Sequence, residues 1–148
     1  MILYTIGFTK KSAKQFFEAL ISNGVQMLAD VRLNNHSQLA GFAKNDDLEF
    51  FLRRLGDIDY FACPDFAPTK EMLSSYRKKE LCWENYEIAY RELMKERDSC
   101  GQFIRCFSHY KRICLMCSEA TPEHCHRRLA AEMLLASSEI IESVNHIL

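Results

Sequence analysis

The chain has 148 residues, a formal net charge of -1 and 48% apolar residues. That length supports one domain with a sizeable core, and the near-neutral charge gives no global case for a nucleic-acid partner, which shows as a basic excess. No segment approaches the roughly 20 apolar residues of a membrane span, and the first residues lack the charged start and apolar run of a secretory signal.

In chain order, Ile2 to Ile6 predicts a short strand ended by Gly7. Ser12 with Gln15 three residues on has capping-box spacing. The helix it opens carries Phe16, Phe17, Leu20 and Ile21 on one face, and Asn23-Gly24 closes it. Val25 to Val31 predicts a second strand ending at Asp30-Val31-Arg32, so the chain opens as a β-α-β unit with a right-handed crossover. Residues 34–45 read as a long polar loop. Asn45 is placed to cap a helix with Asp46 and Asp47 in its first turn, where carboxylates oppose the dipole favourably. Leu48, Phe51, Leu52 and Leu55 form its apolar stripe, and Gly56 ends it.

Ile58 to Ala62 predicts a third strand, and Pro64 and Pro68 bracket a loop. Thr69 onward reads as helix through Lys79. Trp83 to Arg97 is a stronger helix whose Tyr86, Tyr90, Leu93 and Met94 fall at the spacing of a core stripe. Ile113 to Cys117 predicts the next strand. A helix follows with Thr121 as N-cap, Pro122 at its first position, and Ala130, Met133 and Leu134 on its apolar face. Val144 to Leu148 predicts a last strand. The expectation is a single three-layer α/β/α domain over residues 1–148, with a mainly parallel sheet of four or five strands. Gly7, Arg32 and Cys117 should fall along one sheet edge.

Ligands of open parallel sheets bind beyond the carboxyl ends of the strands, so those three strand ends define a candidate crevice. Asp30 and Arg32 lie on the same side of their strand, as an anion holder or as an ion pair tying the strand down. The densest chemistry follows, in the run Cys114-Leu115-Met116-Cys117-Ser118-Glu119-Ala120-Thr121-Pro122-Glu123-His124-Cys125-His126-Arg127-Arg128. Cys125, placed in a first helical turn beside His126, Arg127 and Arg128, has the surroundings that lower a thiol pKa. Cys117 ends a buried strand, where an apolar setting raises it. Cys125 is therefore expected to alkylate faster. An anion is expected near the backbone of Pro122 to Cys125, held by Arg127 and by Arg32 arriving from another strand. Only one of Arg127 and Arg128 should face it, because consecutive helical residues diverge by about 100°.

The chain has seven cysteines, an odd number at irregular spacing. This argues against a disulfide framework and for free thiols in reducing cytoplasm. Zinc is the rival reading of Cys114-x-x-Cys117 with Cys125-His126. Residues three apart on a strand face opposite sides, and adjacent Cys125 and His126 make an awkward chelate, so no stoichiometric metal is expected. A thioredoxin-type pair is disfavoured because its C-x-x-C opens a helix. His36 contributes only if the long loop folds over the crevice. Nothing in the sequence assigns a cofactor or an oligomeric state.

Thr5-Ile6-Gly7-Phe8-Thr9, Asp30-Val31-Arg32, Gly41-Phe42 before the Leu48 to Leu55 helix, Cys117-x-Glu119 followed by Cys125-His126-Arg127, and Val144-Asn145-His146-Ile147 together resemble domain-of-unknown-function family 488. The match spans essentially the whole chain, and the C-x-E…C-H-R element is its most specific part. The resemblance implies a cytosolic α/β domain and supports the site's location, while naming no reaction. Phe8-Thr9 replaces that family's usual His-Ser, and Pro64 to Pro68 stands where it tends to carry L-G-G. Cys114 lies outside the signature.

The leading expectation is a cysteine-dependent enzyme acting on an anionic small molecule or nucleotide. Cys117 or Cys125 would be the reactive thiol, and His126 would orient or deprotonate it. Glu119 would position Arg127 or move a proton, and Arg32, Arg127, Gly7 and Asp30 would form the anion site. The alternatives are a non-catalytic module binding nucleotide or nucleic-acid phosphate, and a purely architectural Glu119–Arg127 pair.

Overall fold

Five strands form one all-parallel sheet: β1 (Ile2–Gly7), β2 (Met27–Asp30), β3 (Asp59–Ala62), β4 (Arg112–Cys117) and β5 (Ser143–Ile147), in the order β3-β2-β4-β1-β5. The computed structural model describes residues 1–36 and 40–148. Ser37, beside His36 in the predicted loop, lies outside the described residues. Six helices complete the domain: α1 (Ala13–Ser22), α2 (Asn45–Gly56), α3 (Lys70–Arg77), α4 (Trp83–Arg97), α5 (Ser99–Phe107) and α6 (His126–Ser137).

Handedness explains the layers. The chain steps one way across the sheet from β1 to β2 to β3, then back to β4 and on to β5. Right-handed crossovers therefore put the first two helices on one face and the later ones on the other. The core divides accordingly. Phe16, Leu20, Leu48 and Leu52 pack on Leu28, Cys114 and Met116. Tyr90, Met94, Phe103, Leu129 and Leu134 pack on Met27, Leu115 and Cys117 across the sheet. The chain leaves neighbouring β2 and β4 toward opposite faces, which opens a crevice above their carboxyl ends. Among the described residues no helix is long and apolar enough to cross a membrane.

Local chemistry sets most boundaries. Ser12 and Gln15 form the reciprocal capping box, and Gly24 takes a positive φ of 65° after the helix. The Tyr86, Tyr90 and Met94 stripe is buried. The segment from Pro64 is a short 3-10 turn pinned by Tyr90, whose hydroxyl donates to the Phe66 carbonyl at 2.7 Å, and by Ser99, whose hydroxyl donates to the Asp65 carbonyl.

Several sequence expectations need correction. Ile21 and Leu55 are about half exposed, because each lies at the outer margin of its helix stripe. Asn45 begins α2 without capping it, and its Oδ1 is buried without a partner among the described residues. A helix absent from the prediction, α5, follows α4 directly through Asp98, whose left-handed φ of 52° turns the chain without a loop. The last helix starts at His126 instead of Pro122.

Candidate functional site

The late helix start builds the site. After β4 the chain runs irregularly through a buried Pro122 until Cys125 takes an extended conformation as the N-cap of α6. This carries Cys125 back over the end of β4, with its Sγ 2.7 Å from the Cys117 Sγ. As the second residue of α6, Arg127 points inward and is fully buried. Its Nη1 donates to the Glu119 carbonyl at 2.6 Å and to the Cys117 and Cys125 sulfurs at 3.4 and 3.5 Å. Arg128 diverges as expected, to an ion pair with Glu132 at 2.8 Å.

Gly7 makes this clasp possible. It pairs in register with Cys117, and a Cβ there would meet the Glu119 carbonyl oxygen at 1.6 Å. Its part is close backbone approach beneath the clasp. The side chain of Glu119 is exposed, and only its backbone carbonyl engages Arg127, so the expected Glu119–Arg127 carboxylate pair is replaced by a carbonyl–guanidinium bond. Arg127 Nη1 is spent on sulfur and carbonyl, while its buried Nε has no partner among the described residues.

A guanidinium keeps its charge in proteins, and a buried charge needs a counter-charge. Among the described residues no carboxylate comes within ion-pair distance of Arg127. The two sulfurs are what it has. Burial alone would push the Cys117 thiol up, but the hydrogen bond from Cys125 and the nearby His126 and Arg127 charges outweigh it and hold Cys117 below the ordinary thiol value. Burial, with the hydrogen bond and negative charge of Cys117, pushes Cys125 well above it. The two thiols form one coupled pair in which Cys117 is drawn down and Cys125 pushed up. These directions run opposite to the ones expected from sequence, because Cys125 sits at the cap and the strand-end Cys117 receives the positive neighbours.

His126 joins the two halves of the crevice. Its Nε2 donates to the Val31 carbonyl at 2.7 Å, which leaves Nδ1 without that commitment. Asp30 and Arg32 form a buried two-pronged pair, Nε to Oδ1 at 2.9 Å and Nη2 to Oδ2 at 2.7 Å, and the Tyr60 hydroxyl donates to Asp30. Phe8, one of the departures from the family pattern, lies beneath the Arg32 guanidinium at 5.3 Å. Asp30 is consumed by Arg32. The third nitrogen, Arg32 Nη1, is buried with no partner among the described residues.

A cleft of about 890 Å³ opens over these groups, with Arg32, Cys117, Glu119, Cys125 and His126 in its wall. Lys70, Arg77 and Lys78 face it from α3 and its C-terminal end, and Glu119 is the one carboxylate among the described lining residues. Sequence reasoning missed these three cations; the run Arg77-Lys78-Lys79 was the available signal. Gly7, Asp30 and Arg127 stand behind the wall. His36 is exposed and is not part of the described lining.

Cys117, Cys125 and one ring nitrogen of His126 lie within 4.8 Å of one another, a spacing that could hold a metal ion. The sequence objection to Cys114 holds, since it lies in the opposite core. The objection to adjacent Cys125 and His126 does not, because the turn from N-cap to helix lets both converge.

Fold and site define an α/β domain with a buried dithiol–arginine cluster at the carboxyl edge of a parallel sheet. Residues 12–134 match the family described as Domain of unknown function DUF488, and the chain belongs to that family. No curated protein and no solved structure matches it.

Proposed function

We propose that the protein is a cysteine-dependent enzyme acting on an anionic small molecule, with Cys117 as nucleophile. One observation carries this reading: a fully buried Arg127 that has no carboxylate partner among the described residues and instead donates to the Cys117 and Cys125 sulfurs. A thiolate held by a fixed guanidinium is an activated nucleophile. Arg32 Nη1, Lys70, Arg77 and Lys78 would hold the substrate anion, and Glu119 and His126 stand at the cleft for proton transfer.

Substrate capture is tested by thermal shift. Phosphate, sulfate and nucleotides at millimolar concentration are expected to raise the melting temperature, as any ligand that binds only the folded state does. Arg77→Ala and Lys78→Ala, both exposed, should each weaken binding by up to about tenfold, roughly 1.4 kcal/mol, at unchanged intrinsic stability. If no anion shifts the transition, a substrate held by these cations is ruled out.

A second reading, a metal centre at Cys117, Cys125 and His126, rests on their spacing. Against it stands the permanent charge of Arg127, already placed beside both sulfurs where a divalent cation would bring a second positive charge. Elemental analysis of purified protein is therefore expected to find no stoichiometric zinc. About one tightly held zinc per chain, lost in Cys125→Ala, would transfer the site to metal chemistry.

A further inference from the structure

The nucleophile role uses Cys117 alone, yet the Cys125 sulfur lies 2.7 Å from that of Cys117, with the pair against the cleft wall. We propose that Cys117 and Cys125 are a two-electron redox couple that reduces a small hydroperoxide at the expense of a dithiol. The proposal rests on the Cys117 thiolate and adds to it a second activity with its own substrate class.

The steps balance. The Cys117 thiolate attacks the terminal oxygen of the hydroperoxide, forming an S–O bond and breaking O–O; the departing oxygen leaves with the electron pair and takes a proton. Cys117 is then a sulfenic acid. The Cys125 sulfur attacks it, an S–S bond forms, and hydroxide leaves and is released as water with the Cys125 proton. A dithiol returns two electrons and two protons by exchange. Only a small oxidant suits the site, since Cys117 is 1% exposed.

Arg127 sets the direction of the couple. In the disulfide the pair loses its one negative charge, and Arg127 is left buried with no counter-charge among the described residues. Oxidation therefore costs the fold, the reduced form is favoured, and the disulfide is readily reduced, as for other couples whose reduced thiolate is stabilised.

The protein carries its own controls in the exposed Cys82 and Cys106. Limiting hydrogen peroxide at neutral pH, followed by non-reducing peptide mass spectrometry, is expected to give a Cys117–Cys125 disulfide about tenfold faster than oxidation of either exposed thiol, since the thiolate is the attacking form and Arg127 stands beside Cys117. Dithiothreitol should reverse it and sustain peroxide consumption. In Cys125→Ser, Cys117 should stop at the sulfenic acid, trapped by dimedone, and turnover should be lost. Over-oxidation of Cys117 with Cys125 still a thiol in the wild type would overturn the couple, as would oxidation no faster than at Cys82. If alkylation meanwhile shows Cys117 to be a thiolate, the redox couple fails and the nucleophile stands; an ordinary Cys117 removes both.

Discussion

Arg127→Met is expected to lower stability by about 3–5 kcal/mol, the cost of breaking a buried charge pair by removing one partner. Methionine fills much of the volume but donates nothing, so the Glu119 carbonyl and a sulfur charge are left without a donor in a site from which water is excluded. The charge then has one way out, which is protonation of Cys117. Stability and thiol chemistry should therefore change together, the second seen as a rise in the pH at which Cys117 alkylates. Arg127→Lys separates them. It keeps the charge but cannot reach sulfur and carbonyl at once, so part of the thiolate should survive with a smaller stability loss. Urea unfolding with alkylation on the same samples reads both.

Gly7→Ala is expected to be nearly as damaging, although it adds a single methyl group. Alanine's Cβ would sit 1.6 Å from the Glu119 carbonyl oxygen, and backbone on both sides must move apart. Overpacking of this kind costs about 1–3 kcal/mol and more where the neighbour is backbone. Moving the carbonyl also removes the shortest of Arg127's hydrogen bonds, so the thiolate should weaken as well. A Gly7→Ala protein of unchanged stability and unchanged Cys117 reactivity would show that the loop is free to move and that the clasp is not what holds Arg127.

The sheet was legible because its signals are local. The capping box at Ser12, the apolar runs of β1 and β4 and the Trp83 to Arg97 stripe each report their own element, and right-handed crossovers then leave few topologies. The site's location followed from the strand ends. Its wiring did not, for one physical reason. Thr121-Pro122 is a sound helix start taken alone, but the chain delays the helix to bring Cys125 over Cys117 and the Glu119 carbonyl over Gly7. That long-range packing overrides the local cap. With the helix start at His126, Cys125 lies outside the first turn, Arg127 turns inward, and the pKa directions expected for the two thiols exchange. Phe8 is likewise not legible from its neighbours in sequence, because its partner, the Arg32 guanidinium, arrives from another strand.

The central claim is that Cys117 is a thiolate in the folded protein, balanced by Arg127. It has a thermodynamic sign. A thiol whose folded pKa is depressed contributes stability that is fully present above its unfolded value, near 9.0, and lost as pH falls through the folded value, about 5. Relative to Cys117→Ser, wild-type stability should fall across that window by at most ~1.4 kcal/mol per pH unit. Cys125, raised instead, adds nothing to the slope below its unfolded value. The most direct measurement is the pH profile of Cys117 alkylation by iodoacetamide, read by peptide mass spectrometry with Cys82 and Cys106 as internal references. The account predicts a midpoint for Cys117 well below those of the exposed thiols, moved upward by Arg127→Met. A Cys117 midpoint at or above theirs, unmoved by that substitution, would contradict it.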